Sequence, residues 1–177
     1  PDLNGTVDLY TSDGGMEVGG GGYENKELDH ISLNLGQILS GLLTLKKGGS
    51  LVTKQYTFFE TLNINILAIL SNVFKELYIS KPVTSKITNT ETYIVGKGYI
   101  GYKESEKYIE MLLNKIKKIE ENNLKKLKYN IDENDEKDQR IIPLLEKKYI
   151  KDDFLESVCN SAKEIYKRHI YYIYDRF

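Results

Sequence analysis

Three ionisable residues stand at the ends of strand-like runs. Asp13 closes the run Val7-Asp8-Leu9-Tyr10-Thr11-Ser12-Asp13, just before two glycines. Lys54 closes Gly49-Ser50-Leu51-Val52-Thr53-Lys54, and Glu91 opens Glu91-Thr92-Tyr93-Ile94-Val95-Gly96. In an open α/β sheet, ligands gather at strand ends. The intervals between them are 41 and 37 residues, each enough for a helix and a strand, so the three side chains can meet at one sheet edge. An acid, a lysine and a second acid make a cluster that can hold charge or handle a proton. A lysine accepts a proton only if its pKa falls toward neutrality. Burial or a neighbouring cation lowers it, and nearby acids push it up. Each residue also has a plainer reading. Asp13-Gly14 is a common turn pair, Lys54 can snorkel at a strand end, and Glu91 can be a surface acid.

The elements that must position these residues are legible in the pattern. A strand spans Val7 to Ser12, and a glycine-rich stretch from Gly14 to Gly22 follows it. That stretch is no Walker A loop, because no Gly-Lys-Ser/Thr closes it. It reads as a flap. Ile31, Leu35, Ile38, Leu39, Leu42 and Leu43 recur at helical spacing, and Gly48-Gly49 is a good helix stop. A second strand is expected from Ser50 to Tyr56. The next helix runs from about Glu60 to Lys75, with Leu62, Ile66, Ile69, Leu70, Val73 and Phe74 buried. Leu77-Tyr78-Ile79 is a third strand, ended by Lys81-Pro82. The polar loop Val83 to Thr90 leads to a last strand, Thr92 to Val95. The outcome is two β-α-β crossovers and a closing hairpin.

Beyond residue 100 the texture changes. Thirteen of the 14 glycines and only eight of the 25 basic residues lie in residues 1–100, so the rest reads as charged helix. A helix is expected from Lys103 to about Lys128, with Tyr108, Met111, Leu112, Ile116 and Ile119 apolar and the charges from Lys115 to Lys128 on a solvated face. Asp132 to Arg140 reads as a linker, and Ile141-Ile142-Pro143-Leu144-Leu145 restarts structure. A final helix runs from Asp152 to Tyr174 with Phe154, Leu155, Val158, Ala162, Ile165, Tyr166 and Ile170 on one face. Cys159 lies near that stripe and reads as core. Tyr166, Tyr171, Tyr172 and Tyr174, with Lys167, Arg168 and Arg176, could stack on bases, but at helical spacing they read first as packing.

Composition bounds the rest. The chain has 177 residues and a net charge of −1, enough for one domain with a core. The charge balance predicts no polyanion partner overall, while leaving room for a local patch. The single cysteine excludes an internal disulfide and a cysteine-rich zinc site. Neither His30 nor His169 has metal-ligand spacing. Asn63, Asn65, Ser71 and Asn72 interrupt the longest apolar stretch, so no membrane span fits. The first residue is not Met, and the opening residues read as part of something longer.

The residues around the triad carry a resemblance. Ser12-Asp13-Gly14-Gly15, Gly48 through Lys54, Leu77-Tyr78-Ile79-Ser80-Lys81-Pro82-Val83-Thr84-Ser85-Lys86 and Asn89 through Lys97 fall in order. Together they resemble the FtsJ-like (RrmJ-type) ribose 2′-O-methyltransferases, in the form found in large cytoplasmic DNA viruses. The likeness covers about residues 7–100; residues 101–177 match no family. It implies an α/β fold: the C-terminal half of a Rossmann-like seven-stranded methyltransferase sheet in residues 1–100, followed by a charged helical extension in 101–177.

The family uses a Lys-Asp-Lys-Glu tetrad, of which Asp13, Lys54 and Glu91 would be the second, third and fourth members. The first lysine and the glycine-rich turn for the cofactor S-adenosyl-L-methionine would lie upstream, leaving this stretch inactive alone. Asp13, Gly14 and Gly15 would touch the cofactor, and no metal is implied. Ser85, Lys86 and Thr88 would touch RNA, with Lys86 standing where the family commonly has arginine. The implied function is RNA ribose 2′-O-methylation, with capped mRNA as partner, in host cytoplasm or a virion. The upstream half of the same protein, or a partner subunit, would complete the site. The rival readings are a methyltransferase-like structural subunit and an RNA-binding module.

Overall fold

A computed structural model describes residues 5–15, 27, 30–86, 89–129 and 139–175, with the side chains of 126–129, 169, 172 and 173 left aside. In chain order the elements are β1 (Val7–Ser12), α1 (Ile31–Thr44), β2 (Leu45–Gln55), α2 (Thr61–Val73), β3 (Phe74–Ser80), β4 (Thr92–Tyr99), α3 (Tyr102–Tyr129), a 3-10 turn (Lys147–Tyr149) and α4 (Asp152–Tyr174). The fold is mixed α/β. The four strands form one sheet in the order β1-β2-β4-β3. β1 and β2 are parallel, and β4 runs antiparallel to both β2 and β3. The last strand thus slots between its two predecessors, which the hairpin reading of β3 and β4 requires only in part.

Strand β2 begins earlier than its β-branched run. It starts at Leu45, directly after α1, because Leu45 is buried and pairs with Val7. The register then jumps, so that Leu9 faces Ser50. The extra residues Lys46 to Gly49 form an irregularity of the bulge kind, and Gly48 takes φ +87° there, a left-handed conformation that glycine adopts without a Cβ clash. Gly48-Gly49, expected to stop a helix, lies inside a strand instead. Lys46 pairs with Asp8 at 2.5 Å and Lys47 with Glu104 at 2.7 Å, fastening the bulge to β1 and α3.

One apolar cluster joins sheet and helices. It includes Ile31, Leu35, Ile38 and Leu42 of α1, Leu51 of β2, Leu62, Ile66, Ile69 and Leu70 of α2, Ile109 and Leu112 of α3 and Val158 of α4. Burying each such side chain fully is worth about 1.5–3 kcal/mol. Helix α1 approaches β1 and β2 closely at Gly41, where a Cβ would come within 2.7 Å of Leu51 and 2.9 Å of Tyr10.

Helix α2 is buried almost all round, Asn63 and Asn65 included. Its N-terminus is capped from a distance by Glu27. That buried carboxylate accepts the Phe59 N–H at 3.1 Å, the Glu60 N–H at 2.8 Å, the Asn63 amide at 2.7 Å and a short bond from the Thr57 hydroxyl. An anion at a helix N-terminus meets unsatisfied N–H groups and the positive dipole end.

Several expectations need correction. α2 ends at Val73, and Phe74 is a buried first residue of β3, which is longer than Leu77–Ile79. β4 continues past Val95 to Tyr99. Lys115 is not on the solvated face: it is buried and its Nζ donates to the Ile142 carbonyl at 2.7 Å. Asn65 Oδ1 accepts from the Leu144 and Leu145 N–H groups at 2.7 and 2.6 Å, so residues 141–145 form a strap clipped to α2 and α3. Cys159 is exposed rather than core, and Ile170, expected on the buried face of α4, is exposed. Residues 16–22 of the glycine-rich stretch, Thr88, most of the charged linker and Arg176 lie outside the described residues.

Candidate active site

Sheet register brings the triad together. Ser12 pairs with Thr53, so the next residues, Asp13 and Lys54, leave neighbouring parallel strands side by side. Lys54 pairs in turn with Tyr93 of β4, two residues after Glu91. The Ser12 hydroxyl donates to Thr53 Oγ1 at 2.7 Å, locking the two strand ends. Lys54 Nζ lies 3.1 Å from Asp13 Oδ1 and 3.9 Å from Glu91 Oε2. The first is a hydrogen-bonded ion pair and the second a charge contact. Side-chain exposures of 15% for Lys54, 23% for Glu91 and 68% for Asp13 leave the lysine and Glu91 largely covered and Asp13 open.

Tyr93 completes the cluster. Its hydroxyl reaches Glu91 Oε1 at 2.9 Å and Asp13 Oδ1 at 3.2 Å. A phenol has one proton, so the two carboxylates share it. Burial, then the Glu91 bond and the two acids, push its pKa up to about 12. Lys54 is raised as well. Burial alone would lower it, but the Asp13 hydrogen bond and the charges of Tyr56, Glu91 and Asp13 outweigh that. As it stands, the group is an ammonium that donates and does not accept.

Lys81 builds the other wall. Its Nζ donates to the Glu91 carbonyl at 2.8 Å, the Asn89 carbonyl at 2.8 Å and the Ser85 hydroxyl at 3.2 Å, and makes a short bond to Asn89 Oδ1. Burial holds its pKa below the ordinary lysine range, against the pull of Glu91. The Asn89 amide donates to Glu91 Oε2 at 3.4 Å. The loop between β3 and β4 is therefore tied at its base by one cation.

Of the residues expected at RNA, Ser85 spends its hydroxyl inside this loop, bonding Asn89 Oδ1 at 3.1 Å, while Lys86 is exposed. Of those expected at the cofactor, Gly14 donates its N–H to Gln37 Oε1 at 2.8 Å. Among the described residues, a Cβ on Gly15 would meet nothing nearer than the Tyr56 hydroxyl at 3.6 Å. Gln37 Nε2 is a buried donor with no partner among the described residues. An open carboxylate at Asp13, room at Gly15 and an amide donor nearby suit a ligand that carries a positive charge and polar groups.

Tyr93, Asn89, Lys81 and Gln37 escaped the sequence reading. Tyr93 had a signal: strand alternation puts it on the same face as Glu91. Gln37 sits in a helix whose apolar pattern gave no reason to single it out.

Compared with known protein families, residues 1–99 match the family described as FtsJ-like methyltransferase. A "Probable methyltransferase" of African swine fever virus is 46% identical over 91 residues, covering 51% of this chain and 21% of that protein. A "Cap-specific mRNA (nucleoside-2'-O-)-methyltransferase 2" of Drosophila melanogaster is 32% identical over 116 residues, covering 66% of this chain and 16% of that protein. Its namesake in Pongo abelii is 38% identical over 96 residues, covering 54% and 12%. The chain thus spans about a fifth or less of the length of these relatives.

Proposed function

Since this chain belongs to the FtsJ-like methyltransferase family, we propose that it forms the catalytic half of an S-adenosylmethionine-dependent RNA ribose 2′-O-methyltransferase acting on capped mRNA. The observation that carries the reading is the convergence of Asp13, Lys54 and Glu91, 3.1 and 3.9 Å from one ammonium. The cap substrate comes from the names of the relatives. A viral setting comes from the African swine fever virus protein.

Lys54 is the residue that meets the ribose 2′-hydroxyl. Asp13 and Glu91 orient it, and Tyr93 keeps the two carboxylates from turning away. As an ammonium, Lys54 holds the 2′-oxygen and stabilises negative charge that develops there. To take the hydroxyl proton it must first be neutral, and two acids within 4 Å oppose that. A second cation at the site, such as the first lysine of the family's tetrad, offsets the acids. S-adenosylmethionine, when bound, supplies a methyl group activated by its sulfonium charge. Asp13 and Gly15, with the Gln37 amide, would hold it; Ser85, Lys86 and Thr88 are the residues proposed for RNA contact.

The test is methyl transfer by the whole protein that carries this chain. Labelled S-adenosylmethionine and a short capped RNA are expected to yield a 2′-O-methylated nucleoside. Lys54→Ala is expected to slow the reaction by about a hundredfold or more. A Lys54→Ala protein working at the parent rate would end the assignment.

A further inference from the structure

A cavity of about 520 Å³ opens between the loop that follows β3 and the C-terminal part of α4. Lys81 and Asn89 line one side; Tyr166, Arg168, Tyr171 and Asp175 line the other. The volume falls in the range of sites for small organic ligands, about 300–1,000 Å³. Five of the eleven described lining residues lie in residues 101–177, outside the family match.

The wall chemistry is specific. Tyr171 is 63% exposed although it stands on a helix with an apolar stripe, so most of its ring surface faces away from the described residues. Tyr166 is half-buried and packs at a tilt against Phe59 with ring centroids 5.1 Å apart, which fixes its position. Burial raises its phenol to about 12, so it is a neutral hydroxyl. Arg168 is exposed and adds a cation; among the described residues Asp175 is the one acid of the lining. An exposed aromatic ring beside an arginine is the equipment that binds single-stranded nucleic acid, the base on the ring and the phosphate at the cation.

The cavity also adjoins the methyl-transfer cluster through shared residues. Lys81 and Asn89 line it and also bond to Glu91. We propose that this cavity holds a nucleotide of the RNA substrate flanking the one at Lys54, with its base against Tyr171 and its phosphate at Arg168. The inference rests on the RNA methyltransferase reading, and it gives α4 a role in substrate binding.

The experiment is fluorescence anisotropy of the chain with a labelled eight-nucleotide RNA, capped and uncapped, at several salt concentrations. Circular dichroism melts confirm that each variant folds. Tyr171→Ala is expected to weaken binding about tenfold, Tyr171→Phe to retain it, and Arg168→Ala to weaken binding and flatten its salt dependence by about one counterion. The losses should be equal for capped and uncapped RNA. Parent-like binding by both Tyr171→Ala and Arg168→Ala would overturn the proposal, as would a loss confined to capped RNA, which would make the cavity a cap site. Absence of RNA binding by the parent chain would also overturn it. Methyl transfer by the whole protein is read separately. Transfer with undiminished binding in the variants defeats the cavity alone, whereas weakened binding without any transfer defeats the reaction alone.

Discussion

Two acids converge on one lysine, and the consequence for that lysine is directional. Burial would lower Lys54, yet the Asp13 bond and the neighbouring charges leave it raised. A lysine whose pKa rises on folding stabilises the fold below the ordinary lysine range, and that contribution is lost as pH climbs through the raised value. Asp13→Asn and Glu91→Gln are each expected to bring Lys54 down, read as the pH titration of its ε-carbon by NMR; an unmoved midpoint in both would show that the contacts do not control it. Tyr93→Phe removes the one proton shared by Asp13 and Glu91. It should cut methyl transfer by about tenfold while leaving the melting temperature nearly unchanged, because the ring stays and only a partly solvated hydroxyl goes. A variant as active as the parent would make Tyr93 a bystander. The meeting of Asp13, Lys54 and Glu91 at one sheet edge is legible in the sequence because each closes or opens a strand-like run. Lys81 and Asn89 are not, since their role depends on how the loop folds back on itself.

At the scale of elements, Glu27 and α2 make the sharpest case. Four donors converge on one buried carboxylate. Removing it strands buried N–H groups and an amide, so Glu27→Ala should cost about 3 kcal/mol in a urea unfolding curve. A loss under about 0.5 kcal/mol would mean that water replaces the cap. No local pattern announces this contact, because cap and helix are more than 30 residues apart. The same physics explains which elements could be read in advance. α4 was expected and observed from Asp152 to Tyr174, since its apolar period and acidic start are local signals. The opening of β2 is not legible in the sequence because Lys46-Lys47-Gly48-Gly49 has no strand character of its own; only pairing with β1 makes it strand. Lys115 was misplaced for a related reason. A charge run predicts solvent, and only the carbonyl of Ile142 across the fold shows otherwise.

For the molecule as a whole, the strap at residues 141–145 joins the parts. Asn65 holds it from α2 and Lys115 from α3, while α3 and α4 contribute to the same core as the sheet. Asn65→Ala should expose the Leu144 and Leu145 amides to hydrogen exchange by more than tenfold, and lower stability by about 1–3 kcal/mol. Protection unchanged at both amides would show that the strap is held by its apolar side chains instead. Among the described residues, no helix is long and apolar enough to cross a membrane.

The ammonium of Lys81 has a consequence for how such a protein can change over time. It closes the loop after β3 into a ring by gripping the backbone just ahead of β4. Residues inside that ring are decoupled from the strand beyond it. Lengthening a closed loop is cheap, about 0.6 kcal/mol for each doubling. Insertions between Val83 and Lys86 should therefore leave Glu91 in place while reshaping the surface beside it. The loop is a place where the surface beside Glu91 can vary while that carboxylate stays where β4 begins.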